Sequence, residues 1–156
     1  MTTDVHAQQA IETIEIQKTI DIAAPIEIAF EAMLEELGPE AQMMDGTSMP
    51  FKLEAWPGGR WFRDLGNNAG HLWGHVQVIK PPTLLEIWGP IMMSYPAINH
   101  VQYRFAAQGS GTRLSFVHRG MGMILDDHRN GMPKGWDHWT QRIRQRAERT
   151  SSHHKK

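Results

Sequence analysis

Cysteine is absent from the 156-residue chain, which excludes a disulfide framework, a thiol nucleophile and a thiolate metal site. Charge of one sign is missing too: the formal net charge is −1, so no global field favours a nucleic acid or an anionic membrane. No apolar run approaches the roughly 18 residues that a membrane span needs. The first ten residues are polar and carry no apolar signal core. No phosphate loop, nucleophile elbow or paired-carboxylate pattern occurs. These absences set the expectation of a cytoplasmic protein with no nucleic-acid partner, no membrane partner and no cofactor.

What is present is a chain of strand patterns. Ile14, Ile16, Ile20 and Ile22 alternate with polar residues, a period of two that gives a strand with one buried and one wet face, interrupted by Lys18. Pro25 suits a first helical position, and Ile26, Phe30, Met33, Leu34 and Leu37 form one stripe before Gly38-Pro39 stops the helix. Further strands are expected over 59–65, 70–80, 83–88, 97–107 and 112–119, separated by Gly/Asn turns and the Pro81-Pro82 break. Trp136, Trp139, Ile143 and Ala147 then recur at three- and four-residue spacing, which predicts an amphipathic helix over 134–149. Arg142, Arg144, Arg146 and Arg149 read as its solvated face. The length fits one domain. Its expected bounds are 11–150, between loose tails at 1–10 and 151–156.

The motifs Trp56-Pro57-Gly58-Gly59-Arg60-Trp61, Gly74 through Pro82 and Gly135-Trp136 resemble the START-like (SRPBCC) superfamily, most closely its activator-of-heat-shock-protein-ATPase-like branch. The resemblance spans about residues 14–147. It implies an α+β helix-grip fold: a curved antiparallel sheet of about seven strands wrapped around a long C-terminal helix, with short helices after the first strand. It also implies a cavity between sheet and helix. Its motifs are turn and packing signatures, and the superfamily holds lipid carriers, hormone receptors, aromatic polyketide cyclases and co-chaperone domains. Val78 stands where the branch often has an acidic residue.

Polar side chains carried on apolar strand faces are the candidate ligand contacts, because a buried polar group without a partner is costly. Alternation places Asn99 and Tyr103 inward with Val101 and Phe105, His118 inward with Leu114 and Phe116, and Arg63 inward with Trp61. With the helix tryptophans, the candidate binding set is Trp61, Arg63, Asn99, Tyr103, His118, Trp136 and Trp139. Met43, Met44 and Met49 fit either a cavity wall or core filling. His71 and His75 lie about 13 Å apart if they share a strand, too far to share one metal ion, so no metal site is expected. Asp126-Asp127-His128 reads as a turn or helix cap.

The reading that fits best is binding of a small, largely apolar or aromatic molecule between sheet and helix. Two alternatives stay open. One is a cyclase- or aromatase-like enzyme with His118 as acid/base. The other is a co-chaperone-like interaction domain, with a chaperone partner, using an exposed row of His71, Trp73 and His75; such a patch would also suit a homodimer. Catalytic residues are not assigned.

Overall fold

Strand β1 (Glu12–Ile22) runs antiparallel to the last strand of the chain, so the two ends of the sheet sequence meet at one edge. In the computed structural model, which describes residues 1–6 and 10–154, helix α1 (Ile26–Glu36) follows β1. It is followed by β2 (Lys52–Leu53), β3 (Arg60–Gly66), β4 (Ala69–Lys80), β5 (Leu84–Gly89), β6 (Ala97–Gln108), β7 (Gly111–Gly122) and α2 (Asp126–His154). The seven strands form one antiparallel sheet in the order β1-β7-β6-β5-β4-β3-β2. This is the α+β helix-grip arrangement expected from the sequence, with one helix after β1.

Period-two burial sets the inner face. Asn99, Val101, Tyr103 and Phe105 of β6 are buried, as are Leu114, Phe116 and His118 of β7. On β1, Ile14, Ile16 and Ile22 are buried. Lys18, on the same face, reaches the sheet edge and pairs with Asp137 of α2, which answers its charge without burying it unpaired.

Strand β4 departs from the expected alternation. Trp61 of β3 pairs with Gly74 and Phe62 pairs with Leu72, leaving Trp73 as an extra residue in a bulge. Trp73 and Gly74 are therefore both buried, while Leu72 is exposed. The expected outward row of His71, Trp73 and His75 does not form, because the bulge turns Trp73 into the core. Gly74 is also no open position: a Cβ there would lie 2.7 Å from the Trp88 carbonyl oxygen.

Helix α2 is longer than the predicted 134–149. Two turns precede Pro133, and the helix continues to His154 with Ser151 buried. Residues 151–154 are thus helical where a tail was expected. Residues 1–6 are exposed and form no regular element; the remaining tail expectations, at 7–9 and 155–156, fall outside the described residues.

The two helices are locked by charge. The Glu36 carboxylate is fully buried and accepts from Arg142 Nε and Arg146 Nε, each at 2.6 Å. These two arginines were expected on a solvated face; instead they reach across to α1. The last carbonyls of a helix lack intrahelical donors. Here two tryptophans supply them: Trp139 Nε1–H donates to Glu36 O and Trp61 Nε1–H to Leu37 O, both at 2.7 Å.

Candidate functional site

Between the loop of residues 40–49 and the first half of α2 lies a cavity of about 300 Å³. Its walls are methionine and tryptophan: Met43, Met44 and Met49 from the loop, Met92 from the β5–β6 connection, Met132, Trp136 and Trp139 from α2, and Trp73 from the β4 bulge. Loop and helix are held together where His138 Nε2–H donates to the Gln42 carbonyl at 3.0 Å, and further along α2 where Arg142 and Arg146 reach Glu40.

Two glycines complete the wall. Gly131 and Gly135 lie four apart, one helical turn on the same face of α2, and both line the cavity. Neither has a positive φ, and a Cβ built on either would meet nothing within 4 Å among the described residues beyond its chain neighbours and the helix's own backbone. Backbone conformation does not call for glycine here and neither does packing. What the missing side chains leave is room.

Behind this wall stands an aromatic cluster. Trp136 stacks on Trp139 at 5.6 Å between ring centroids, Phe51 stacks on Trp61 at 5.1 Å, and Trp73 meets Trp61 edge-on at 5.3 Å. Trp136 Nε1–H donates to His118 Nδ1 at 3.0 Å. His118 Nε2–H in turn donates to Asn99 Oδ1 at 2.7 Å. The Asn99 amide nitrogen reaches the Gly89 and Pro90 carbonyls at 3.3 and 3.2 Å. The chain of bonds thus ties α2 to the segment leading into Met92. Within it, Ile91 is held at φ 57°, a strained value for a β-branched residue.

Of the seven residues singled out in the sequence, Trp136 and Trp139 line the cavity. Trp61 belongs to the aromatic cluster that backs it. His118 and Asn99 are fully buried behind Trp136. Tyr103 is deeper in the core, edge-on to Phe116 at 5.0 Å. Its hydroxyl has no partner among the described residues, and burial pushes its pKa up. Arg63 lies elsewhere, in a separate depression with Asp64, Asn67 and His71. The structure therefore brings the two helix tryptophans and Trp61 together and leaves Arg63 apart.

The polar rim of the cavity is formed by Asp127 and His128 in the first turn of α2. His128 stacks on Tyr95 at 5.5 Å, and its Nδ1 lies 2.6 Å from the Tyr95 hydroxyl. The triplet 126–128 does open a helix, as a cap reading would have it, but it also faces the cavity mouth. Sequence reasoning did not reach Met92, Met132, Gly131, Gly135 or this rim. The available signal was the four-residue glycine spacing inside a helical pattern, where each glycine carries a propensity penalty. Among the described residues, no group of three or more His, Asp or Glu is placed to hold a metal ion, and no helix is long and apolar enough to cross a membrane.

A sheet gripping a long C-terminal helix, with a cavity under the front half of that helix, defines a helix-grip domain. The chain belongs to the activator of Hsp90 ATPase homolog 1-like family, whose model matches residues 23–148. Solved structures share the fold. Mll3558 from Rhizobium loti matches with a TM-score of 0.69 at 15% identity, covering 88% of this chain and 99% of that one. An uncharacterized protein from Rhizobium leguminosarum matches at 0.64 and 16% identity, covering 90% and 99%. CalU16 from Micromonospora echinospora matches at 0.55 and 18% identity, covering 92% and 97%. No match was found among curated proteins.

Proposed function

We propose that this protein binds a small, largely apolar or aromatic molecule in the cavity between residues 40–49 and the first half of α2. The observation that carries this reading is the pair Gly131 and Gly135. Glycine inside a helix costs roughly 0.5–1 kcal/mol relative to alanine, and here it is required by neither φ nor contact; that both glycines line the cavity supports reading them as leaving room at its wall. Flexible thioethers suit such a wall because methionine adapts to irregular partners, and a few hundred Å³ with an apolar lining and a small polar rim is the usual form of a ligand site.

Acid–base turnover by His118 is the weaker alternative. Both imidazole nitrogens are already engaged, one by Trp136 and one by Asn99, so neither is free to exchange a proton with a substrate. The co-chaperone alternative loses the exposed row it would use, since Trp73 is buried.

The test uses the uncharged fluorophore N-phenylnaphthylamine. Its emission should rise and saturate with the native protein, and that response should vanish in Gly131→Leu and Gly135→Leu, whose circular dichroism stays native. Undiminished binding in both variants would show that the cavity is not the site.

A further inference from the structure

We infer that the cavity selects ligands with an uncharged or hydrogen-bond-donating head and excludes carboxylates. This rests on the reading of the cavity as a ligand site and adds the charge class of what enters it.

Among the described residues, what the lining lacks is a cation. The indole N–H groups of Trp136 and Trp139 are turned away, to His118 and to the Glu36 carbonyl. The Nε2–H of His138 is taken by the Gln42 carbonyl, and His128 is engaged through Nδ1 by Tyr95; the donors left over among the described residues are neutral ones, the Trp73 indole N–H, the Gln42 side-chain amide and His128 Nε2. Among the described residues no lysine or arginine lines the cavity, and the one formally charged lining residue is Asp127. The nearby cations on α2 do not supply a counter-charge: Arg129 is drawn off to Glu12 and the Thr13 carbonyl, while Lys134 is exposed and outside the lining.

A carboxylate entering this space would exchange its water for neutral donors with no cation among them, and at the mouth it would pass the like charge of the exposed Asp127. Removing a charge from water without pairing it is among the most unfavourable steps in binding. An alcohol or an ammonium meets the opposite situation, because each can donate to the Asp127 carboxylate while its apolar body contacts methionine sulfur and tryptophan. The same geometry that makes the cavity hospitable to an apolar body therefore makes it hostile to an acidic head.

The experiment titrates the native protein by calorimetry, near neutral pH, with four naphthalenes matched in shape: naphthylmethanol, naphthylmethylamine, naphthoic acid and methyl naphthoate. The acid should bind at least about tenfold more weakly than the alcohol or the amine, and the methyl ester, with the same shape and no charge, should recover the affinity. Asp127→Lys should raise the affinity for the acid and lower that for the amine. An acid that binds as tightly as the alcohol would overturn the charge selection and leave the cavity reading standing. Absence of binding by all four, or binding that survives Gly135→Leu, would overturn the cavity reading and this assignment with it.

Discussion

Trp136 and His118 meet through one hydrogen bond, indole Nε1–H to imidazole Nδ1 at 3.0 Å. Because the indole can only donate, Nδ1 must accept, and the imidazole proton is fixed on Nε2, facing Asn99 Oδ1 at 2.7 Å. A second proton on Nδ1 would break the bond to Trp136. Burial acts in the same direction and lowers the His118 pKa from 6.5 to about 4.

A pH dependence follows. Between pH 6.5 and about 4 the unfolded chain takes up a proton at this position and the folded chain does not, so stability falls as pH drops through that window. The contribution is fully present above pH 6.5, and its loss by pH 4 amounts to roughly 3 kcal/mol. His118→Gln can keep a donor and an acceptor without titrating; it should be less stable near neutrality but lose stability less steeply on acidification. Urea midpoints for both proteins across this range test the claim, and parallel curves would refute it. Imidazole nitrogen shifts in NMR should report the Nε2–H tautomer.

Glu36 offers a second test. Its carboxylate is fully buried between Arg142 and Arg146, whose side chains are only about one-fifth exposed. Removing one partner of such a group leaves the other charges inadequately paired, which costs about 3–5 kcal/mol. Glu36→Ala should fall near the lower figure, since both guanidiniums retain some access to water, and Arg146 also pairs with Glu35 at 3.1 Å. Chemical denaturation measures this directly; a loss under about 1 kcal/mol would show that the cluster does not clamp α1 to α2.

Gly74 sits at a close approach of β4 to β5. Its Cβ would lie 2.7 Å from the Trp88 carbonyl oxygen and 2.8 Å from Ile87 Cγ2, so even alanine forces β4 away from β5. Gly74→Ala should destabilise by about 1–3 kcal/mol, with N-phenylnaphthylamine still bound by the fraction that stays folded. Larger residues at this position test the sheet, not the ligand.

How far the sequence disclosed this protein depends on where its pattern was regular. The alternation of β6 and β7 placed Asn99, Tyr103 and His118 on the inner face, where they are, because the pairing of these two strands has no register shift. The same rule failed at Leu72 and Trp73 of β4, where the bulge at Trp73 exchanges their faces, while Gly74 and Val76 beyond it are buried as alternation expects. Residues 40–49 have no period at all, so the three methionines there could not be assigned to wall or core before the loop was seen against α2. Pro133, flanked by Gly131 and Gly135, concealed the first two turns of α2 and with them the rim at Asp127 and His128. The fold was legible from packing motifs. A cavity between sheet and helix was implied by the resemblance, but its place beside residues 40–49 was not legible, because that loop has no period and Gly131 and Gly135 show no side chain to place.

That absence gives the last prediction. At Gly131 and Gly135 a methyl group would enter open space while restoring helix propensity on either side of Pro133. Gly131→Ala and Gly135→Ala should each stabilise the protein by about 0.5–1 kcal/mol. The two positions are one turn apart and neither methyl group meets another side chain, so the double variant should be close to additive. Two methyl groups occupy little of about 300 Å³, so N-phenylnaphthylamine binding should persist, weakened a few-fold at most. A more stable protein that binds less as the side chain grows from alanine to leucine would place the two glycines where stability is given up for volume. Destabilisation by alanine would mean that the helix needs glycine for its own backbone near Pro133, and the case for a preserved cavity would lose its support.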